Sequence, residues 1–212
     1  MRFPDRRAAG GLLGELVGEA EPVDPVVLAL PRGGVPVGFE VAHALNCALD
    51  VLVVRKLGFP MQPELAMGAI GEGGVIVRNE EIVAATGVGT DVFDQTVLRE
   101  QNELKRRVSN YREVAAPIDP VGRTAVIVDD GLATGSTARA GIAVLRERGA
   151  GEVWLAVPVA PRETTRAMEH LADRVIVLLQ PHSFGAVGVW YRDFKQTTDD
   201  EVRKLLSESR LR

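Results

Sequence analysis

The sequence predicts an α/β protein with a parallel central sheet flanked by helices and a small C-terminal hood. Three observations carry that prediction. The runs 26–30, 50–54, 153–157 and 175–179 are almost continuously apolar rather than alternating, the pattern of short strands buried on both faces. The first is followed by a helical pattern and then by the second, an order that fits a right-handed parallel crossover. Finally, Val126-Ile127-Val128 runs straight into Asp129-Asp130 and a small-residue loop. Those polar residues then fall at a strand's carboxyl end, where open α/β sheets bind ligands.

In chain order, residues 5–18 are predicted as a helix with Leu12, Leu13, Leu16 and Val17 on one face. Strand 26–30 ends in Pro31-Arg32-Gly33-Gly34, and a helix follows from about Val35 to Asn46. The strand 50–54 is closed by Arg55-Lys56. Residues 57–74, rich in Gly and Pro, are expected to form a long mobile loop, with Val75-Ile76-Val77-Arg78 and Ile82-Val83 making a hairpin after it. From Asp91 to Arg112 the apolar residues Phe93, Val97, Leu104, Val108 and Tyr111 fall near helical spacing, Leu98 broadens the stripe, and Asp91 is the expected N-cap. The charges of that helix, Glu103 and Arg107 among them, read as a solvated face. A helix from Ser136 to Arg148 stops at Gly149, strands 153–157 and 175–179 follow, and a polar helix starts at about Asp199.

At 212 residues the chain is expected to be one domain spanning 1–212, with a core of about residues 20–180. The hood, about 181–212, joins the N-terminal helix. A formal net charge of −4 argues against a sequence-independent nucleic-acid binder, which carries a basic face. The single cysteine, Cys47, excludes an intramolecular disulfide; its neighbours Ala44, Leu45 and Ala48 predict a buried helix position rather than a nucleophile. Residues 1–7 lack the apolar stretch of a signal peptide, and no run of about 18 apolar residues occurs. A cytoplasmic protein without membrane contact is the expectation.

The stretch from Val126 to Thr137 carries the chemistry. Thr134-Gly135-Ser136-Thr137 offers backbone N–H groups and hydroxyls at a helix start, which suits a phosphate dianion. The adjacent carboxylates of Asp129 and Asp130 suit sugar hydroxyls, which donate to ionised acids. A ribose 5-phosphate satisfies both halves. A nucleotide-triphosphate loop is excluded because only three residues separate Gly131 from Gly135 and Ser136 stands where Lys is needed. Leu132 breaks a dinucleotide fingerprint. At the same sheet edge, Gly33 and Gly34 let backbone approach an anion and Arg32 adds a planar charge. Arg55-Lys56 adds two cations at a second strand end. Phe184, Trp190, Tyr191 and Phe194, interleaved with Gly185 and Gly188, suit either a slot for a planar molecule or packing of the hood. His182 reads as a turn residue.

These segments resemble the type I phosphoribosyltransferases, which bind 5-phosphoribosyl 1-pyrophosphate (PRPP). The resemblance implies that Asp129 and Asp130 hold the ribose, and that Ala133, Thr134, Gly135, Ser136 and Thr137 hold the 5′-phosphate. It implies pyrophosphate contacts from Arg32, Gly33, Arg55 and Lys56, with a cis peptide expected at Pro31–Arg32. Arg55 joins the two acids as a catalytic residue, and residues 57–74 become a water-excluding lid. Phe184, Trp190 and Asp193 become the acceptor contacts. The resemblance further implies Mg²⁺ held mainly by PRPP rather than by protein ligands, a nitrogen acceptor of nucleobase type, and a homodimer. Ala133 stands where the hypoxanthine-guanine branch has an acid, which disfavours a 6-oxopurine. As a whole the chain is similar to a bacterial group of predicted phosphoribosyltransferases with no assigned acceptor. A PRPP- or nucleotide-sensing regulator and another ribose-phosphate enzyme are the alternatives.

Overall fold

The structure is a computed structural model that describes residues 2–210, the side chain of Glu64 apart. In chain order it comprises α1 (Arg6–Gly18), β1 (Pro25–Ala29), α2 (Gly34–Ala44), β2 (Ala48–Val51), β3 (Val54–Phe59), β4 (Gln62–Gly71) and β5 (Ile76–Arg78). There follow α3 (Glu80–Thr86), α4 (Thr90–Arg112), β6 (Thr124–Val128), α5 (Ser136–Glu147), β7 (Glu152–Val159), α6 (Arg162–Glu169), β8 (Arg174–Leu179) and α7 (Asp199–Ser209).

Alternation along the strands builds two apolar layers around one sheet. Val27, Ala29, Val126, Val128, Trp154 and Ala156 join Leu13 and Val17 of α1, Phe39 of α2 and Leu206 of α7 in one layer. Their neighbours Val26, Leu28, Ala125, Ile127, Val153 and Leu155 join Ile142 and Leu145 of α5 and Met168 of α6 in the other. Both faces are covered, which is why these strands read as apolar runs. The sheet is parallel throughout, in the order β2-β1-β6-β7-β8. Helix α1 starts at Asp5, whose carboxylate accepts from the Ala8 N–H at 2.8 Å, so this cap agrees with the predicted helix.

The segment between β2 and β6 departs from expectation. Residues 57–74 are not an irregular loop: β3, β4 and β5 form a three-stranded antiparallel sheet. The second core strand ends at Val51, so Arg55 and Lys56 lie inside β3 rather than closing a core strand. Ile82 and Val83 belong to helix α3, not to a hairpin. The Asn79 side chain caps that helix on the Ile82 N–H at 3.2 Å, and Glu80 and Glu81 sit in its first turn, where carboxylates suit the dipole. Helix α4 is capped by Gly89, with Asp91 inside its first turn. Cys47 lies beyond the end of α2 rather than within it. Helix α6 was without a sequence signal because only Thr165 and Met168 are buried along it.

This inserted unit is tied to the core by a buried charge. Asp50 of β2 accepts from Arg112 Nη1 at 2.7 Å and from the N–H groups of Ile118 at 3.0 Å and Val51 at 2.7 Å. Arg112, in the last turn of α4, also grips Glu72 with Nε and Nη2, each at 2.6 Å. The first part of the hood, residues 181–198, is irregular apart from a 3-10 turn at Val187–Trp190, and α7 follows it. It zips onto the N-terminal segment: Phe3 N–H donates to Trp190 O at 2.8 Å, and Arg192 N–H to Phe3 O and Asp193 N–H to Pro4 O at 2.9 Å. No helix among the described residues is long and apolar enough to cross a membrane.

Candidate functional site

Strand β6 delivers Asp129 and Asp130 at the sheet's carboxyl end. The Asp130 N–H donates to Asp129 Oδ1 at 2.8 Å. Burial, then the charge of Asp130, pushes the Asp129 carboxyl well above the usual range. Asp130 is also raised by burial, but Arg6 opposes the shift. The Arg6 guanidinium donates through Nε to Asp130 Oδ2 at 2.8 Å, and the Asp130 side chain is 14% exposed. Tyr191 O–H donates to the Asp130 carbonyl at 2.5 Å.

The Pro31–Gly34 loop packs directly on these acids. A Cβ on Gly33 would lie 2.1 Å from Asp130 Oδ2, and one on Gly34 would lie 2.6 Å from Val128 O and 2.9 Å from Asp129 Cα. At Gly34 the obstacle is backbone, so only glycine fits; at Gly33 a Cβ would push the Asp130 carboxylate aside. The Pro31–Arg32 peptide is cis, as the resemblance implies. After the acids, Gly135 takes φ +72 and starts α5 without a side chain of its own to cap it; the Ser136 N–H makes a long contact of 3.4 Å to Thr134 Oγ1, and the N–H groups of a helix's first turn suit an anion. Thr164 Oγ1 secures the loop by donating to Ala133 O at 2.8 Å, and Thr134 and Ser136 hydroxyls lie 3.3 Å apart.

A cleft of about 550 Å³ brings Arg55, Lys56, Ser136 and Thr137 together, with Arg99, Glu100 and Arg107 from α4 on its wall. The Arg55 guanidinium is held on Glu100 Oε2 by Nε at 2.9 Å and Nη2 at 2.6 Å. Arg32 does not join that cleft. It lines an adjoining cavity of about 380 Å³ with Arg106, Arg107, Asn110, Tyr111 and Asp199. Its Nη1 lies 3.8 Å from Asp199 Oδ2. The two cavities share Pro31 and Arg107, so the face of α4 assigned to bulk solvent is in part a cationic wall.

The hood residues are packed. Trp190 Nε1 donates to Phe184 O at 3.0 Å, and both half-buried rings join a cluster with Phe3, Val159 and Tyr191. Asp193 is exposed, and its carboxylate accepts from the Lys195 N–H and Nζ at 3.2 Å each. Phe184, Trp190 and Asp193 line neither cavity. Sequence reasoning missed Arg6, gave Tyr191 only a place among the hood aromatics, and left Arg107 on a solvated face. For Arg6 a signal existed: a cation in the first turn of a helix opposes the dipole and so calls for a partner elsewhere.

A parallel five-stranded sheet with an acid pair and a helix start without a side-chain cap at its carboxyl end defines an open α/β class whose ligand crevice lies at that end. Residues 6–192 match the phosphoribosyl transferase domain, and the chain belongs to that family. Two Mycobacterium tuberculosis proteins, from strains CDC 1551 and H37Rv, are named provisionally as phosphoribosyl transferases. Each is 48% identical over 207 residues, which cover 98% of this chain and 47% of the relative. The chain therefore spans about half the length of these curated relatives. The crystal structure of TT1426 from Thermus thermophilus superposes with a TM-score of 0.94 at 41% identity, over 98% of this chain and 99% of that one. A Bacillus anthracis hypoxanthine-guanine phosphoribosyltransferase shares the fold, with a TM-score of 0.50 at 10% identity over 86% and 84% of the two chains.

Proposed function

We propose that this chain is a Mg²⁺-dependent phosphoribosyltransferase that displaces pyrophosphate from PRPP with a nitrogen acceptor of nucleobase type. One observation carries the reading: the acid pair, the uncapped start of α5 and the cationic cleft gather at one end of the same parallel sheet. Asp129 and Asp130 take the ribose hydroxyls, and residues 133–137 take the 5′-phosphate. Gly33, Arg55 and Lys56 face the pyrophosphate, with Arg32 reaching its far end beside Arg107. The C1–O bond breaks with its electron pair leaving on pyrophosphate, while the acceptor nitrogen bonds C1 from the opposite face and loses its proton to solvent. Catalysis is positioning and charge stabilisation. The hood with Phe184, Trp190 and Asp193 is the acceptor side, because its Val187 packs on Gly131 and its Tyr191 reaches Asp130.

Mg²⁺ on the PRPP oxygens would offset the charge of the departing pyrophosphate. One oxygen of each acid is already held within the chain. That arrangement suits an ion carried by its substrate and water. A cytoplasmic homodimer completes the proposal on family resemblance alone.

The test follows Mg-PRPP by phosphorus NMR with pooled purines, pyrimidines and small amines. Pyrophosphate release that needs both an acceptor and Asp130 is the expected result. Asp130→Asn is expected to weaken PRPP binding about 10- to 100-fold, the worth of a hydrogen bond to a charged group. Binding without turnover would favour a sensor, and no binding would overturn the reading.

A further inference from the structure

Arg6 makes three contacts that meet at one guanidinium. Nε donates to Asp130 Oδ2 at 2.8 Å, and Nη1 donates to the Lys195 carbonyl at 2.7 Å. The Phe194 ring lies beneath Cζ at 3.8 Å. The side chain is only 11% exposed. The hood also reaches the same acid from its own side, through Tyr191 O–H on the Asp130 carbonyl. Phe194 and Tyr191 stack with centroids 5.1 Å apart. The second acid is therefore clamped twice by hood-linked groups, once on its carboxylate and once on its backbone.

We propose that Arg6 is a positioning residue that keeps Asp130 an anionic acceptor for the ribose and couples that acid to the placement of the hood. The inference rests on the reading of Asp130 as a ribose ligand. Two neighbouring carboxylates in a half-buried loop repel each other, and a protonated acid donates where a ribose hydroxyl needs an acceptor. The charged and titratable groups facing Asp130 are Arg6 from α1, Asp129 from its own loop and Tyr191 from the hood. The loop after β1 contributes Gly33, which brings no charge. Burial and the charge of Asp130 hold the Tyr191 phenol protonated, so Arg6 alone among the three supplies positive charge. With Oδ2 engaged by Arg6, Oδ1 is the oxygen left to a ligand.

The experiment has two arms. In the first, ¹³Cγ-labelled aspartate is titrated by NMR in the wild-type chain, Arg6→Gln and Arg6→Lys, with Asp130 assigned by its loss in Asp130→Asn. Arg6→Gln is expected to raise the Asp130 midpoint by a pH unit or more, and Arg6→Lys to restore most of it. In the second, binding of Mg-PRPP and of ribose 5-phosphate is measured by calorimetry at pH values that span the Asp130 midpoints found in the first arm. Arg6→Gln is expected to lose affinity below its own midpoint, about tenfold for each pH unit by which that midpoint exceeds the wild-type one, and to recover it above. A loss of equal size at every pH, or an unmoved Asp130 midpoint, overturns the proposal, since a packing role predicts both. Phe194→Ala keeps the charge but removes the ring beneath it. It is expected to give a smaller shift in the same direction, and it carries the test if Arg6→Gln does not fold. A wild-type chain that binds neither probe while its Asp130 midpoint responds to Arg6 defeats the proposed function but not the clamp.

Discussion

Replacing Arg112 by Ala should strip the counter-charge from a carboxylate that has no access to water. The Asp50 side chain is 2% exposed and that of Arg112 15%. In the variant, Asp50 keeps the N–H groups of Ile118 and Val51 but no cation. Removing one partner of a buried pair costs about 3–5 kcal/mol because the other charge stays behind. Glu72, 19% exposed, turns to water and adds little, so about 4 kcal/mol is expected. For a chain of this size that corresponds to a fall in Tm of about 8–16 °C. With a urea m-value of about 2 kcal/mol/M, the midpoint drops by about 2 M. The assay is urea unfolding followed by circular dichroism, with Asp50→Leu/Arg112→Leu alongside. That double variant removes both charges and should lie within about 1–2 kcal/mol of wild type. A loss below about 1 kcal/mol in Arg112→Ala, or a double variant no better than the single, refutes the reasoning.

Three further outcomes are expected. Gly33→Ala should displace the Asp130 carboxylate, 2.1 Å from the new Cβ, cost about 1–3 kcal/mol by overpacking and weaken Mg-PRPP binding at least tenfold by calorimetry. Gly11→Ala, whose Cβ meets nothing within 4 Å, should instead stabilise helix α1 by about 0.5–1 kcal/mol; a loss of PRPP affinity there would sink the comparison. Cys47 should alkylate slowly, because burial pushes its thiol from 9.0 up to about 11. At pH 8 the thiolate fraction is then about a hundredth of the ordinary one. The iodoacetamide rate should climb about tenfold per pH unit up to about 11, and a plateau near pH 9 would contradict the burial.

The central sheet was legible because each strand is local and apolar on both faces, and the acids with the loop that opens α5 lie in one stretch from Val126 to Thr137. The β3–β5 sheet was not, since its glycines read as loop formers. Gly58 and Gly68 are strand residues under close backbone approach: a Cβ would lie 2.5 Å from Pro63 O and 2.2 Å from Val77 O. Crowding selects glycine there, and composition alone does not tell crowding from freedom. Arg6 was hidden for a different reason, its partner being 124 residues away in the chain. Arg55 and Arg32 were found as cations, but their division between two cavities depends on how α4 and α7 fold back over the sheet.

The pairing of Phe3 and Pro4 with residues 190–193 also sets an order of assembly. A ribosome releases Arg6 first, then β6 with its acids, and the hood only afterwards. Until Phe194 and Lys195 emerge, Arg6 has neither the ring nor the carbonyl that holds it against Asp130. A nascent chain therefore carries all five strands of the parallel sheet before Arg6 meets the hood groups that hold it.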